Sequence, residues 1–474
     1  MNFRSLEEIR GALHAGKLTC VELVRHYLHQ IERHKNLNAF LEVFEKEAME
    51  KASALDKKIS SGEKCGKLAG MVVSIKDVLA YHNHKVSAGS KILKGFESIY
   101  SGTAVQRLVD EDAIIIGRTN CDEFAMGSSN ENSAYGPVKN GLDDSLVPGG
   151  SSGGAAVSVQ MEMCLAALGT DTGGSVRQPA SFCGVVGMKP TYGRVSRHGL
   201  IAYASSFDQV GIFSNNVKDC ATILEVIAGP DEFDATAAQT PADSYSDFFK
   251  TEKLRLAYFP EVIEHEKVNA GVRKKIEEIF EKLRANGHSI EPVEFGLTDY
   301  LVPAYYVLTT AEASSNLSRF DGIRYGHKSK DATDLESTYR MNRSEGFGEE
   351  VKRRIMLGTF VLSAGFYDAY YSRGQKVRRL LRDKTNSILE DFDFIISPTT
   401  PTTAFKLGEN VKDPIEMYLA DIFTVLAPLA GLPAISIPAG NHENGMPVGL
   451  QLIAGKWMER KVFSSAHQIE AILN

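Results

Sequence analysis

Between Pro148 and Gly199, eleven of 52 residues are glycine, against 41 in the whole 474-residue chain. Serines and threonines sit among them. Such a stretch is either a flexible linker or backbone drawn closely around a site. An apolar, helix-like run from Ala155 to Leu168 interrupts it, and Val185-Val186 follows. A linker would not carry those apolar runs, so the segment reads as a backbone-lined site inside a folded core.

The rest of the chain supplies that core. Ser5-Leu6-Glu7-Glu8 and Thr19-Cys20-Val21-Glu22 have the Ser/Thr-x-x-Glu pattern that starts helices. Leu23, Val24, Tyr27, Leu28 and Ile31 then recur at helical spacing. Leu68 to Ile75 predicts a buried strand ending in Lys76-Asp77, and Ala113 to Ile116 a second closed by Gly117. Residues 270–285 predict an amphipathic helix stopped at Asn286-Gly287. Residues 349–390 are helix-rich and charged, while Phe394–Pro398 and Ala434–Pro438 read as strands stopped by proline. Strands alternating with helices predict an α/β fold.

Composition narrows the function. Hydrophobic residues at 43% exclude disorder as the main state. A formal charge of −7 argues against a chain that grips nucleic acid by itself. Nothing near Met1 resembles a secretory signal, and no window reaches the roughly 18–20 apolar residues of a membrane helix. The six cysteines form no Cys-x-x-Cys pair and no zinc spacing, so they read as reduced, mostly buried thiols.

Three chemistries compete for the glycine-rich segment. Gly149-Gly150-Ser151-Ser152-Gly153 fits the Gly-x-Ser-x-Gly nucleophile elbow, but none of the downstream histidines (His198, His265, His288, His327, His442, His467) sits in an evident motif. Phosphate-binding patterns are absent from it. The third reading uses Gly173-Gly174-Ser175, where a serine stands among uncrowded amides able to meet an oxyanion. That serine needs a base, and Lys76 serves if burial brings its pKa toward neutrality.

Lys76, the Gly149–Gly154 loop and the Asp171–Ala180 cluster together resemble the amidase signature family. Their spacings agree: 75 residues from Lys76 to Ser151 and 24 from Ser151 to Ser175. Gln160, where the family usually has a small residue, and Val78, where many members have Asn, depart from the pattern. Asp122–Ser129, Gly184–Arg197, Ala311–Gly326, Ser344–Gly348, Val351–Ile355 and Asp368–Tyr371 bring the chain nearest to the family's glutamine-hydrolysing branch, which serves tRNA-dependent amidation. The resemblance runs from about residue 5 to the C-terminus.

The resemblance implies a single domain over 1–474, with residues 1–60 a helical segment packed on the core. It implies a large mixed sheet with helices on both faces. Ser175 would be the nucleophile, Ser151 the bridging serine after a cis peptide bond, and Lys76 the base. The amides of Thr172, Gly173, Gly174 and Ser175 would hold the oxyanion. Tyr305, Arg354, Asp421, Met126, Gly127 and Ser128 would contact glutamine, with Asp421 on the α-ammonium and Arg354 on the α-carboxylate. Ser152, Asp171 and Arg177 would brace the site, and Lys189 and Arg194 would be structural. No cofactor is implied for this chain. The implied partners are the B and C subunits of an amidotransferase, in a cytoplasmic heterotrimer. The B partner would use ATP and Mg2+ and bind the tRNA, and the small C partner would complete the assembly. A stand-alone amidase and a non-catalytic assembly subunit are the competing expectations. The first would not need Arg354 and Asp421, and the second would not need Lys76, Ser151 and Ser175.

Overall fold

A computed structural model describes residues 3–247, 249–409 and 420–473. Its spine is one eleven-stranded mixed sheet. In chain order the strands are β1 Phe40–Val43, β2 Val72–Lys76, β3 Ile114–Thr119, β4 Ala166–Asp171, β5 Val186–Lys189, β6 Gln209–Ser214, β7 Arg255–Tyr258, β8 Ser289–Pro292, β9 Phe394–Pro398, β10 Ala434–Asn441 and β11 Pro447–Ile453. Their order across the sheet is β1-β3-β2-β4-β6-β5-β10-β11-β9-β7-β8. β2 runs parallel to both β3 and β4, and β7 parallel to β8 and β9; the other pairs are antiparallel.

β2, β4 and β6 are buried at every residue. Successive side chains of a strand point to opposite faces, so both faces of the central sheet are covered. Helices Gly153–Gln160 and Arg177–Cys183 pack on each other and on neighbouring strands. Helices Val217–Ile227, Ala270–Ala285 and Glu459–Leu473 form another packed group on the sheet. A further helical layer, Leu301–Asn316, Glu349–Leu362 and Arg373–Asp391, carries residues of the site.

The N-terminal segment is tied to this core. Helix Leu6–His14 buries Leu6, Ile9 and Leu13, and the carboxylate of Asp219 accepts the Leu6 amide at 3.1 and 3.2 Å. Thr19 and Glu22 close a full capping box on helix Cys20–Arg33, whereas Ser5 caps only the Glu8 amide. The segment is not purely helical: β1 lies within it and pairs with β3 at the sheet edge.

One expected element is corrected. The apolar run from Ala155 does not continue as a helix to Leu168. The helix ends at Gln160, Glu162 turns through a positive φ of 53°, and β4 begins at Ala166. Residues apolar on every side suit a buried helix and a buried strand equally, so periodicity does not divide them. Gln160, the residue out of pattern, accepts from the Gly141 amide at 2.9 Å and donates to Asn140 at 3.1 Å.

Candidate active site

The site lies at the C-terminal ends of the parallel strands β2 and β4, the usual place for ligands in parallel sheets. Lys76 is the last residue of β2 and is fully buried. Its Nζ donates to Ser151 Oγ at 2.7 Å, Ser152 Oγ at 2.9 Å and Thr170 Oγ1 at 2.9 Å. Burial pulls its pKa down to about 8, against the pull of carboxylates such as Asp122, Asp208 and Asp171. Its neighbour Asp77 faces elsewhere, paired with Arg118 of β3 and accepting from Ser87 and Gly89.

Ser151 and Ser152 precede helix Gly153–Gln160, and the Gly150–Ser151 peptide bond is cis. Glycine is required at 150 because a Cβ there would stand 2.2 Å from the Asp122 carboxylate. Gln178 holds this loop to its surroundings: it accepts from the Gly150 amide at 2.9 Å and donates to the Ser128 carbonyl at 2.7 Å. Ser152 also donates to the Thr170 carbonyl at 3.1 Å.

Ser175 stands just ahead of helix Arg177–Cys183. It is 8% exposed whereas Ser151 is 0% exposed, so of the two serines Ser175 is the one a substrate reaches. Asp171 binds the amides of Gly174, Val176 and Arg177 and forms a buried ion pair with Arg177 at 2.9 Å. Burial pushes Asp171 up, but the Arg177 charge and these donors outweigh it and hold the carboxyl below its ordinary range.

This arrangement corrects one expected role. The Gly174 N–H points at Asp171 Oδ1 at 2.9 Å, so it is engaged and is not a free oxyanion donor. Among the described residues, the amides of Thr172, Gly173 and Ser175 have no hydrogen-bond acceptor, and these three remain. Gly174 instead contributes shape: its φ is +136°, and a Cβ would meet Thr424 Oγ1 at 2.3 Å. Thr172 is oriented by Asp208, which accepts its hydroxyl at 2.7 Å. A Cβ at Gly173 would stand 2.4 Å from the Tyr305 hydroxyl, which puts Tyr305 directly over the oxyanion loop.

Arg354 and Asp421 meet nearby, although 67 residues apart in sequence. Asp421 Oδ2 accepts from Ser128 Oγ at 2.9 Å and from Tyr306 Oη at 3.1 Å. Burial raises it to about 7, partly opposed by those two bonds and by Arg354. Arg354 donates to Glu350 at 2.8 Å and to Tyr203 Oη at 2.9 Å, and its guanidinium lies 5.3 Å from the Tyr306 ring. Of the Met126–Ser128 stretch, it is the Ser128 side chain that hydrogen-bonds Asp421. Met126 is buried in the hydrophobic core, and Gly127 packs on Asp122.

Several participants had no signal in the sequence. Thr170, Tyr203, Asp208 and Thr424 touch the site from separate elements, and no local pattern distinguishes them; Gln178 lies within the Asp171–Ala180 cluster but was not singled out. Tyr306 had a faint one, as the neighbour of Tyr305 on a helix. Lys189 is fully buried and pulled down to about 7 by burial and by Arg177; its Nζ donates to the Pro190 carbonyl. Arg194 sits 3.7 Å from the buried Glu459 carboxylate.

Among the described residues, a lysine without a carboxylate in ion-pair contact, two serines on adjoining loops and three amides without acceptors, with no histidine beside them, define a serine amidohydrolase centre. The amidase family profile matches residues 22–463, and the chain belongs to the amidase signature family. Its relatives are specific. The A subunit of the glutamyl-tRNA(Gln) amidotransferase of Chlorobaculum parvum is 49% identical over 100% of this chain and 98% of its own length. Its counterpart in Pelodictyon phaeoclathratiforme is also 49% identical, over 100% of both chains. The crystal structure of the same amidotransferase subunit from Thermotoga maritima superposes with a TM-score of 0.77 at 41% identity, covering 96% of this chain and 92% of that one.

Proposed function

We propose that this chain is the glutamine-hydrolysing A subunit of a tRNA-dependent amidotransferase. The observation that carries the reading is a buried lysine hydrogen-bonded to Ser151, beside Ser175, with the Asp421 carboxylate and the Arg354 guanidinium buried nearby. A free amino acid needs that pair: Asp421 takes the α-ammonium and Arg354 the α-carboxylate. A stand-alone amidase acting on a neutral amide has no use for two buried charges, whose desolvation costs several kcal/mol each.

Neutral Lys76 takes a proton from Ser151, which takes one from Ser175. Ser175 Oγ attacks the glutamine side-chain amide carbon. The amides of Thr172, Gly173 and Ser175 stabilise the oxyanion, each donor contributing about 2.7–4 kcal/mol to barrier lowering. The proton returns through Ser151 to the amide nitrogen, ammonia leaves, and water cleaves the glutamyl ester to regenerate Ser175. Among the described residues the Ser175 hydroxyl makes no hydrogen bond; the relay to Ser151 closes when substrate is bound.

The ammonia passes to the B subunit of a cytoplasmic heterotrimer that the C subunit completes. That B partner uses ATP and Mg2+ to activate the glutamyl carboxylate of Glu-tRNA(Gln), or the aspartyl carboxylate of Asp-tRNA(Asn). The net charge of −7 supports a division of labour in which the partner holds the tRNA.

The test is Ser175→Ala in the assembled complex. Glutamine-dependent amidation of Glu-tRNA(Gln) is expected to disappear while ammonium salts still support it. Undiminished use of glutamine would overturn the nucleophile assignment.

A further inference from the structure

Two parts of the site serve different ends: Asp421 selects the substrate, and the Thr172–Ser175 loop stabilises the transition state. The buried side chain of Thr424 joins them directly. Thr424, three residues after Asp421, donates from Oγ1 to the Gly173 carbonyl at 2.5 Å and lies 3.1 Å from the Asp421 carbonyl. The next N–H along the loop, that of Gly174, is gripped from the other side by Asp171 at 2.9 Å. The Gly173–Gly174 peptide plane is therefore held at both ends. It lies between the residues whose amides are free, Gly173 before it and Ser175 after it, so its orientation sets where both N–H groups point.

The turn carrying Asp421 is bound to the same loop by further contacts. Arg177 Nη1 donates to the Thr424 carbonyl at 2.8 Å while Arg177 also pairs with Asp171. Gln451 accepts from Arg177 at 2.5 Å and donates to the Phe423 carbonyl at 2.8 Å. Of these contacts, that of Thr424 is the one made to the carbonyl of the oxyanion loop itself.

Resting on the reading of Asp421 as the ammonium acceptor, we propose that Thr424 is a positioning residue. Through it, an α-ammonium at Asp421 aligns the oxyanion amides. Selection of glutamine over amides lacking the α-amino group is then expressed in turnover as well as in binding.

The test compares glutamine with its analogue lacking the α-amino group, using the chain purified with its partner subunits. In Thr424→Val, kcat for glutamine is expected to fall about tenfold with KM changed by less than about twofold, while kcat for the analogue falls by a clearly smaller factor, because only glutamine brings the ammonium that acts through this contact. Thr424→Ser, which restores the hydroxyl, is expected to recover glutamine turnover. Thr424→Ala serves the same purpose if the valine variant does not fold. Unchanged kcat for glutamine, or an equal fall for both substrates, overturns the coupling. Asp421→Asn separates the two claims: an unchanged glutamine KM in that variant overturns the reading of the pocket and the coupling with it. A raised KM there, together with wild-type kcat in Thr424→Val, overturns the coupling alone.

Discussion

Lys76 donates to three hydroxyls, and the carboxylates that favour its charge act from a distance. A lysine in that position at a pKa of about 8 has a definite signature in rate. The neutral amine is the base, so kcat is expected to rise with pH to a plateau, falling about tenfold per unit below the pKa that Lys76 has in the substrate complex. Asp421 must be ionised to accept an ammonium, and burial raises it to about 7 in the free chain. Below that value kcat/KM is expected to fall about a hundredfold per unit, because the free enzyme must lose two protons. Measured pH profiles of kcat and kcat/KM check both slopes; a kcat independent of pH across this range removes Lys76 as the base. At this scale the glycine setting singled out Ser175 and the strand end Lys76, while the expectation that Ser151 joins them came from the family resemblance. The engagement of the Gly174 amide was not legible, because it depends on where the Asp171 carboxylate points.

Helices Leu301–Asn316 and Glu349–Leu362 place the recognition residues at the level of elements. Tyr305 and Tyr306 come from the first and Arg354 from the second, and the two helices are in close contact. Gly358, one turn beyond Arg354, makes this approach possible: a Cβ there would stand 1.9 Å from the Thr310 carbonyl oxygen. Gly358→Ala is expected to push the helices apart, costing about 1–3 kcal/mol of stability and raising the glutamine KM as Arg354 moves with its helix. Chemical denaturation and steady-state kinetics of one preparation check both; an unaltered KM means Arg354 is placed independently of this contact. Helices with strong patterns were legible, as residues 270–285 show by matching helix Ala270–Ala285. The division of the 155–168 run was not, because a uniformly apolar stretch carries no period.

For the whole molecule, the eleven strands form one sheet, and β1 closes its edge from inside the first 60 residues. The helices of that segment contribute Leu6, Ile9, Leu13, Leu23, Val24 and Tyr27 to the same core. Deleting residues 1–44 is expected to expose the β3 edge and that apolar surface, giving insoluble protein or loss of a cooperative melting transition. A soluble, cooperatively melting truncation would show that the segment folds apart from the sheet. What the sequence determined by itself was local or repetitive: helix starts, strand stops, the glycine-rich setting of the serines, and a family pattern carried by short motifs. The tertiary structure alone decided which amides remain free and that Tyr203, Tyr306, Asp208 and Thr424 contact Arg354, Asp421, Thr172 and Gly173 respectively. Those contacts join residues tens to hundreds of positions apart, and a hydrogen bond depends on distance and direction in space, which leave no period in the chain.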